Sequence, residues 1–185
     1  MKNTTIPLTI YIRTHNEENR IGPVVRRAIS TGAEVIIVDD GSTDKTKMIA
    51  KEAGAIIFEN KWEGSGKQKR FAENVASDKW LLDIDADEIL SEELVKELKI
   101  LFSNPPKPGL YKLKYIIIPP FPKGSKWNYA NSDWRCKLYH TDIIRIPDHM
   151  ASDQFKIPNG IKVKRLVNPI YHYSFLNISH EITKS

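Results

Sequence analysis

The densest run of chemistry-bearing side chains is Asp83-Ile84-Asp85-Ala86-Asp87-Glu88, which closes the apolar segment WLLDI. Carboxylates this close repel and desolvate one another, so they are rarely set together without a cation to share. Hard oxygen ligands at Asp85 and Asp87 suit Mg²⁺ or Mn²⁺, with diphosphate oxygens completing the shell. An EF-hand is the obvious rival, because Asp83, Asp85 and Asp87 match its first acidic positions. That loop needs glycine sixth and glutamate twelfth, where this chain has Glu88 and Leu94, so the rival fails. The plainer alternative is a set of acids opening a helix whose dipole favours them.

Two further polar clusters follow apolar runs: Arg13-Thr14-His15-Asn16-Glu17-Glu18 and Asp39-Asp40-Gly41-Ser42. A carboxylate at a strand end, such as Asp39, can accept the N3–H of uracil, and specific base recognition works through such buried hydrogen bonds. A tight turn with a helix cap would use the same residues.

The elements that must position these clusters alternate. Leu8 to Arg13 and Glu34 to Val38 read as buried strands, as do Ala55 to Phe58 and Trp80 to Ile84. Ile21, Val24, Val25, Ala28 and Ile29 form one helical stripe that ends near Gly32. Thr46, Ile49, Ala50 and Ala53 form a second, with Ser42 or Thr43 expected as its cap and Asp44 in its first turn. Gln68, Phe71, Ala72 and Val75 mark a third, and Ser91 is expected to cap a fourth carrying Leu94, Val95, Leu98, Leu101 and Phe102. This order predicts an α/β fold: a Rossmann-like, mostly parallel sheet with helices on both faces. Ligands in such a sheet bind at the carboxyl ends of the strands, so all the acidic clusters fall on one rim.

After Pro105 the texture changes. Gly109 to Ile118 reads as a long strand, then a Pro/Gly-rich loop runs to about Tyr129. Short strand-like pieces follow at Lys137 to His140, Ile161 to Leu166 and Pro169 to Tyr173. The expected organisation is one domain over 1–185, with residues 1–104 binding the nucleotide and an irregular 105–185 facing the acceptor.

Composition limits the setting. The 185 residues are 41% hydrophobic and 28% charged, ordinary for a globular domain with a sizeable core. Cys136 is the only cysteine, which excludes an intrachain disulfide and suggests a reducing, cytoplasmic compartment. No stretch approaches the ~20 apolar residues of a membrane span, and the amino terminus reads as a first strand rather than a signal peptide. A net charge of +5 favours anionic partners, but the basic residues form no stripe, which argues against nucleic acid.

The strings TIYIRTHNEE, VIIVDDGSTDKT, WEGSGKQKRFA and WLLDIDADE resemble successive motifs of glycosyltransferase family 2. The third is similar to the branch that adds β-linked glucose or related sugars to lipopolysaccharide inner cores; DWRCKLYH and PIYHYSF resemble its acceptor-side segments. The resemblance implies a GT-A fold, a UDP-sugar donor, a divalent metal, inversion at the anomeric carbon, and a glycolipid or saccharide acceptor. It implies that Thr14, His15, Asn16 and Glu17 line the nucleoside pocket, with Asp39 and Asp40 at the base. It also implies Asp85 near ribose and metal, Asp87 as the principal metal ligand and Lys69 near the diphosphate. Arg13 departs from the family's usual proline, and His15 from a frequent tyrosine. Relatives usually continue past HYSF with a helical tail that helps them sit on membranes, so weaker peripheral membrane contact is expected here.

The expected reaction is a single displacement in which a carboxylate deprotonates the acceptor hydroxyl. Where the branch has Val-His-Glu, this chain has Asp148-His149-Met150, so the base must be found elsewhere. The candidates are Asp133, then Asp153 and Asp148, while Asp142 falls in a turn and is discounted. Trp127 and Trp134 are candidates for stacking on acceptor sugars. The rival reading is a weak or inactive sugar-nucleotide-binding remnant of the same fold. A nucleotidyltransferase is disfavoured, because HNEEN is not the Gly-rich, Arg-containing loop that class places after its first strand.

Overall fold

The structure is a computed structural model that describes residues 5–119, 132–148 and 157–173. Strand β1 (Thr9–Thr14) lies between two parallel neighbours, β2 (Glu34–Asp39) and β4 (Trp80–Asp85). Strand β3 (Ile56–Glu59) adds in parallel outside β2. Helices α1 (Ile21–Ile29) and α2 (Thr46–Glu52) return the chain between these strands, and α3 (Ser65–Val75) precedes β4.

Apolar residues run continuously along β1 and β2 because both faces of those strands are covered. Period-two alternation then divides them. Ile10, Ile12, Val35 and Ile37 meet α1, α2 and helix α4 (Glu92–Ser103) through Val24, Val25, Ala28, Ala50, Leu94 and Leu98. Tyr11, Ile36 and Val38 face the other way, with Phe71 and Ala72 of α3.

The sheet does not stop at β4. Strand β7 (Ser132–His140) pairs antiparallel with β4, and β6 (Leu110–Ile117) antiparallel with β7. Strand β8 (Val163–His172) lies parallel to β6, and the short β5 (Glu88–Leu90) closes the edge antiparallel to β8. The whole is one eight-stranded sheet in the order β3-β2-β1-β4-β7-β6-β8-β5. Its β3-β2-β1-β4 half is the expected parallel unit, and the remainder is mixed.

Three sequence expectations change. Ile161 to Leu166 and Pro169 to Tyr173 belong to one strand, β8, although Pro169 lacks the N–H of a regular ladder. Pairing with β6 shifts register between Lys112 and Lys114, just before Pro169, as expected where proline meets a sheet at a bulge. Glu97 of α4 accepts the freed backbone N–H groups of Val167 (2.9 Å) and Asn168 (3.0 Å). The short Lys137–His140 piece extends back to Ser132, as part of β7. Neither Ser42 nor Thr43 caps α2: the N-cap position is Lys45, without a side-chain cap bond, and Asp44 stands just before it rather than in the first turn, its Oδ1 accepting from the N–H of Thr46 at 2.9 Å, while Ser42 is engaged with Asp39. Ser91 caps α4 as expected, accepting from Leu94 N at 3.0 Å. Among the described residues, no helix is long and apolar enough to cross a membrane.

Candidate active site

The carboxyl ends of β1, β2 and β4 share one rim, and a cleft of about 320 Å³ opens there. Thr14, His15, Glu17 and Asp40 line it on one side, and Asp85, Asp87 and His172 on the other. Trp62 and Gln68 also contribute, supplied by the loop before α3 and by α3 itself.

The β1 and β2 loops are stitched together. Asn16 sits at φ 53, a left-handed conformation that asparagine tolerates better than most residues. Its N–H donates to Ser42 Oγ at 2.9 Å, and its Oδ1 accepts from Thr43 N at 2.9 Å. Asn16 thus acts as a loop brace. His15 Nδ1 lies 2.9 Å from the Asp40 carbonyl, and the Asp40 carboxylate accepts from Trp62 N at 2.9 Å.

Asp39 and Asp40 have different surroundings. Asp39 is 0% exposed. Its Oδ1 accepts from Ser42 N (2.8 Å), and its Oδ2 accepts from Ser42 Oγ (2.6 Å) and Thr14 Oγ1 (2.9 Å). Those bonds occupy it within the turn, while Asp40 faces the cleft.

The acidic cluster after β4 is compensated by the protein's own cations. Asp83 Oδ2 lies 2.7 Å from Lys69 Nζ, with both side chains over nine-tenths buried. Asp85 takes Arg13, whose other arm donates to Ser65 Oγ at 2.7 Å. Glu88, fully buried, accepts from Lys137 Nζ at 2.7 Å and from the backbone N–H of Asp85 at 3.1 Å. Asp87 lies 3.3 Å from His172 Nε2 and 3.6 Å from Arg20, which also grips both oxygens of Glu17 at 2.7 Å. Crowding that the sequence reading assigned to an external cation is therefore relieved within the folded chain. Among the described residues, no three His, Cys, Asp or Glu side chains gather closely enough to hold an ion by themselves.

These pairs set the titration of the site. Burial alone would raise Asp85, but Lys137 and Arg13 outweigh it and hold the carboxyl below its ordinary value. Burial likewise works against Asp87, and the bond to His172 with the charge of Arg20 brings it below the usual carboxylate range. Glu88 is shifted upward by burial despite Lys137, with Asp85 adding to the shift. Asp85 and Asp87, which both line this cleft, are thus ionised at neutral pH.

A second cleft, of about 450 Å³, lies against β6 and β7. Lys69, Asp83 and Lys137 line its inner part, and Lys112, Asp133, Trp134 and Arg135 its outer part. Asp85 lines both clefts, so they meet at that carboxylate.

Of the candidate bases, Asp133 stands in the second cleft with its side chain 73% exposed. Asp148 is exposed and lines neither cleft. Asp142 pairs with Lys79 at 2.9 Å, as a turn residue would. Asp153, Trp127, His149 and Met150 lie outside the described residues. Sequence reasoning missed Arg20, Glu88, Lys137 and His172 as members of the site. Lys137 and His172 stand inside DWRCKLYH and PIYHYSF, segments singled out without a role for either residue. Arg20 follows directly on the HNEEN loop.

A parallel α/β unit with acids at its strand ends, extended by a mixed sheet, is the architecture of GT-A enzymes that handle sugar nucleotides. The sequence signature "Glycosyl transferase family 2" matches residues 9–152. The chain belongs to glycosyltransferase family 2. It is 40% identical over 187 residues to an uncharacterised glycosyltransferase of Rickettsia typhi, covering 96% of this chain and 64% of that protein. The chain thus spans less than two thirds of that relative's length. It is also 38% identical over 101 residues to the lipopolysaccharide core biosynthesis glycosyltransferase LpsC of Rhizobium meliloti, covering 50% of this chain and 37% of LpsC. Among solved structures, residues 1–349 of Staphylococcus aureus TarS superpose with a TM-score of 0.65 at 18% identity, covering 90% of this chain and 60% of that fragment. Mycobacterium tuberculosis glucosyl-3-phosphoglycerate synthase, solved with Mn²⁺, UDP and glucosyl-3-phosphoglycerate, gives 0.50 at 22% identity, covering 62% and 46%. Both share the fold.

Proposed function

We propose that the chain transfers a sugar, glucose or a close relative, from a UDP-sugar to a saccharide or glycolipid acceptor with inversion at the anomeric carbon. The observation that carries this reading is the meeting of the two clefts at Asp85. A donor in the first and an acceptor in the second bring their reacting atoms together at that point, which is what a single displacement requires.

The rim residues divide the donor among themselves. Thr14, His15, Glu17 and Asp40 suit the nucleoside, with Asp40 taking the base-reading role first expected of Asp39. Asp39 then acts from behind, holding Thr14 and Ser42. Asp85 and Asp87 are ionised, face the cleft and have His172 alongside. That donor set fits Mg²⁺ or Mn²⁺, which need only one or two carboxylates when substrate phosphates complete the shell. When bound, such an ion neutralises charge gathering on the departing diphosphate. The Mn²⁺ and UDP of the mycobacterial synthase support this choice.

Arg13 and Glu88 keep Asp85 in place from its side chain and its backbone. Lys69, held by Asp83 in the inner part of the second cleft next to Asp85, is the cation we assign to the diphosphate side of the meeting point. On the acceptor side, Asp133 is the group we assign to take the hydroxyl proton, with Trp134 beside it. The name of LpsC supports a lipopolysaccharide-core acceptor. The solitary cysteine and the donor class agree with a cytoplasmic setting, at the inner membrane face where the acceptor is lipid-linked.

A thermal-shift screen of nucleotide sugars with Mn²⁺ tests the donor assignment, since a ligand that binds only the native state raises the melting temperature. Stabilisation by UDP-sugars, followed by metal-dependent donor hydrolysis, is the expected result. Donor binding with no hydrolysis and no transfer would instead mark a binding remnant.

A further inference from the structure

Trp62 lines the first cleft with 49% of its surface exposed. That is a large apolar ring to leave in water, since tryptophan is among the more buried residue types on average. Among the described residues, no other aromatic ring and no side-chain cation stacks on it.

The loop that carries this indole is fastened on both sides. Before it, Asn60 N donates to the Asp39 carbonyl at 2.9 Å, and Asn60 Nδ2 donates to Gln68 Oε1 at 2.7 Å. Gln68 Nε2 returns a bond to the Asn60 carbonyl at 3.0 Å. After it, Glu63 pairs with Lys67 at 2.8 Å, and Gly64, at φ 116, turns the chain into α3. That backbone conformation is one that residues with a Cβ rarely adopt. Trp62 itself donates its N–H to Asp40 Oδ1 at 2.9 Å. The ring thus stands on a braced backbone, tied directly to the aspartate that we assign to base reading.

The remaining oxygen of that aspartate is placed for the task. Asp40 Oδ2 lies 3.7 Å from His15 Nδ1, beyond hydrogen-bond reach, so it can accept from the edge of a base. A bound base needs a polar partner at its edge and a flat surface for its face. Among the described residues that line this cleft, the rings are His15, His172 and Trp62. His172 stands at Asp87, and His15 lies 2.9 Å from the Asp40 carbonyl and 3.2 Å from the Asn16 amide. Trp62 offers the largest π-face of the three. It does not line the second cleft, unlike Trp134, which separates it from the acceptor.

Resting on the donor site proposed above, we infer that the nucleobase of the donor lies against the Trp62 indole. Stacking there supplies affinity for the base, while Asp40 supplies the choice among bases.

The test is a fluorescence and calorimetric titration of the whole chain with UDP, GDP and pyrophosphate, each with Mg²⁺. UDP should quench tryptophan emission in the wild type. Trp62→Ala should weaken UDP and GDP alike by roughly tenfold or more, the loss expected when a base loses its aromatic support, and leave pyrophosphate within about twofold. Trp62→Phe should keep most of the UDP affinity yet lose the quench, although the other tryptophans remain. Circular dichroism checks that both variants fold. UDP affinity unchanged in Trp62→Ala overturns the inference and leaves the donor site standing. Equal losses of UDP and pyrophosphate overturn it too, because the loop would then be shaping the whole cleft rather than supporting a base. A wild type that binds no UDP sinks the donor reading itself, and this inference with it.

Discussion

Lys137 and Glu88 form a buried ion pair directly beneath Asp85, with Glu88 also receiving the Asp85 backbone N–H. Removing one member of such a pair leaves an uncompensated buried charge, typically costing ~3–5 kcal/mol. Lys137→Met should therefore lower stability by about that much. The double variant Lys137→Met with Glu88→Leu should recover most of it, because no charge is then stranded. Urea denaturation of the wild type, both single variants and the double variant decides the matter; additive losses would mean that the pair is not energetically coupled.

Asp87 faces the first cleft and belongs to neither hydrophobic core cluster, so Asp87→Ala should leave the fold intact. It should remove Mn²⁺-dependent UDP binding. Calorimetry with and without Mn²⁺ measures this, and undiminished affinity in the presence of the ion would end the metal assignment.

The adjacent aspartates of the β2 loop should separate by phenotype. Asp39→Ala strands the donors of Ser42 and Thr14 and should cost ~1–3 kcal/mol of stability. Asp40→Asn should change stability by less than ~0.5 kcal/mol while weakening UDP and blunting its advantage over GDP. If instead Asp39→Asn removes UDP selectivity at full stability, the roles are reversed.

Asp133→Asn should lower transfer by ~10²-fold or more, the usual contribution of a general base, while UDP affinity holds. Separate measurements of transfer and donor binding are needed. Wild-type transfer by Asp133→Asn would exclude it and return attention to Asp153.

Cys136 should be a poor nucleophile. Burial pushes its thiol up to about 11, only partly opposed by Lys112. At pH 8 the thiolate should be roughly 10²-fold scarcer than for an ordinary cysteine near 8.5. The sign for stability follows: the folded chain favours the protonated thiol, so this contribution is unchanged below ~8.5 and turns unfavourable as pH rises from there toward 11. The rate of alkylation by iodoacetamide against pH checks it, and fast modification at pH 8 would contradict the burial.

Legibility in the sequence followed local signal. Strands β1, β2 and β4 are apolar runs ending at acids, and α1 and α4 carry regular stripes with a turn glycine or a serine cap, so each element announces itself over a few residues. Strand β8 does not, because Pro169 splits its pattern and Glu97, far away in sequence, repairs the backbone there. The rim was visible in Thr14, Asp40, Asp85 and Asp87 for the same local reason. Lys137 and His172 were not, since only cross-strand pairing brings them to the acids, and no periodicity encodes a meeting between distant segments. The choice between Asp39 and Asp40 depended on which carboxylate the turn consumes, which requires coordinates.

The edge position of β5 has a consequence for synthesis. Among the described residues β5 pairs in the sheet with β8 alone, and that pairing sets His172 opposite Glu88, close to Asp87. A nascent chain can pair its early parallel strands, through the non-local contacts of their helical crossovers, while later residues are still on the ribosome. His172 reaches its place only once β8 has been made and has added beside β6. Translation thus delivers the β1–β2 side of the rim before the histidine beside Asp87, so a partly made chain holds an open, incomplete cleft until β8 docks.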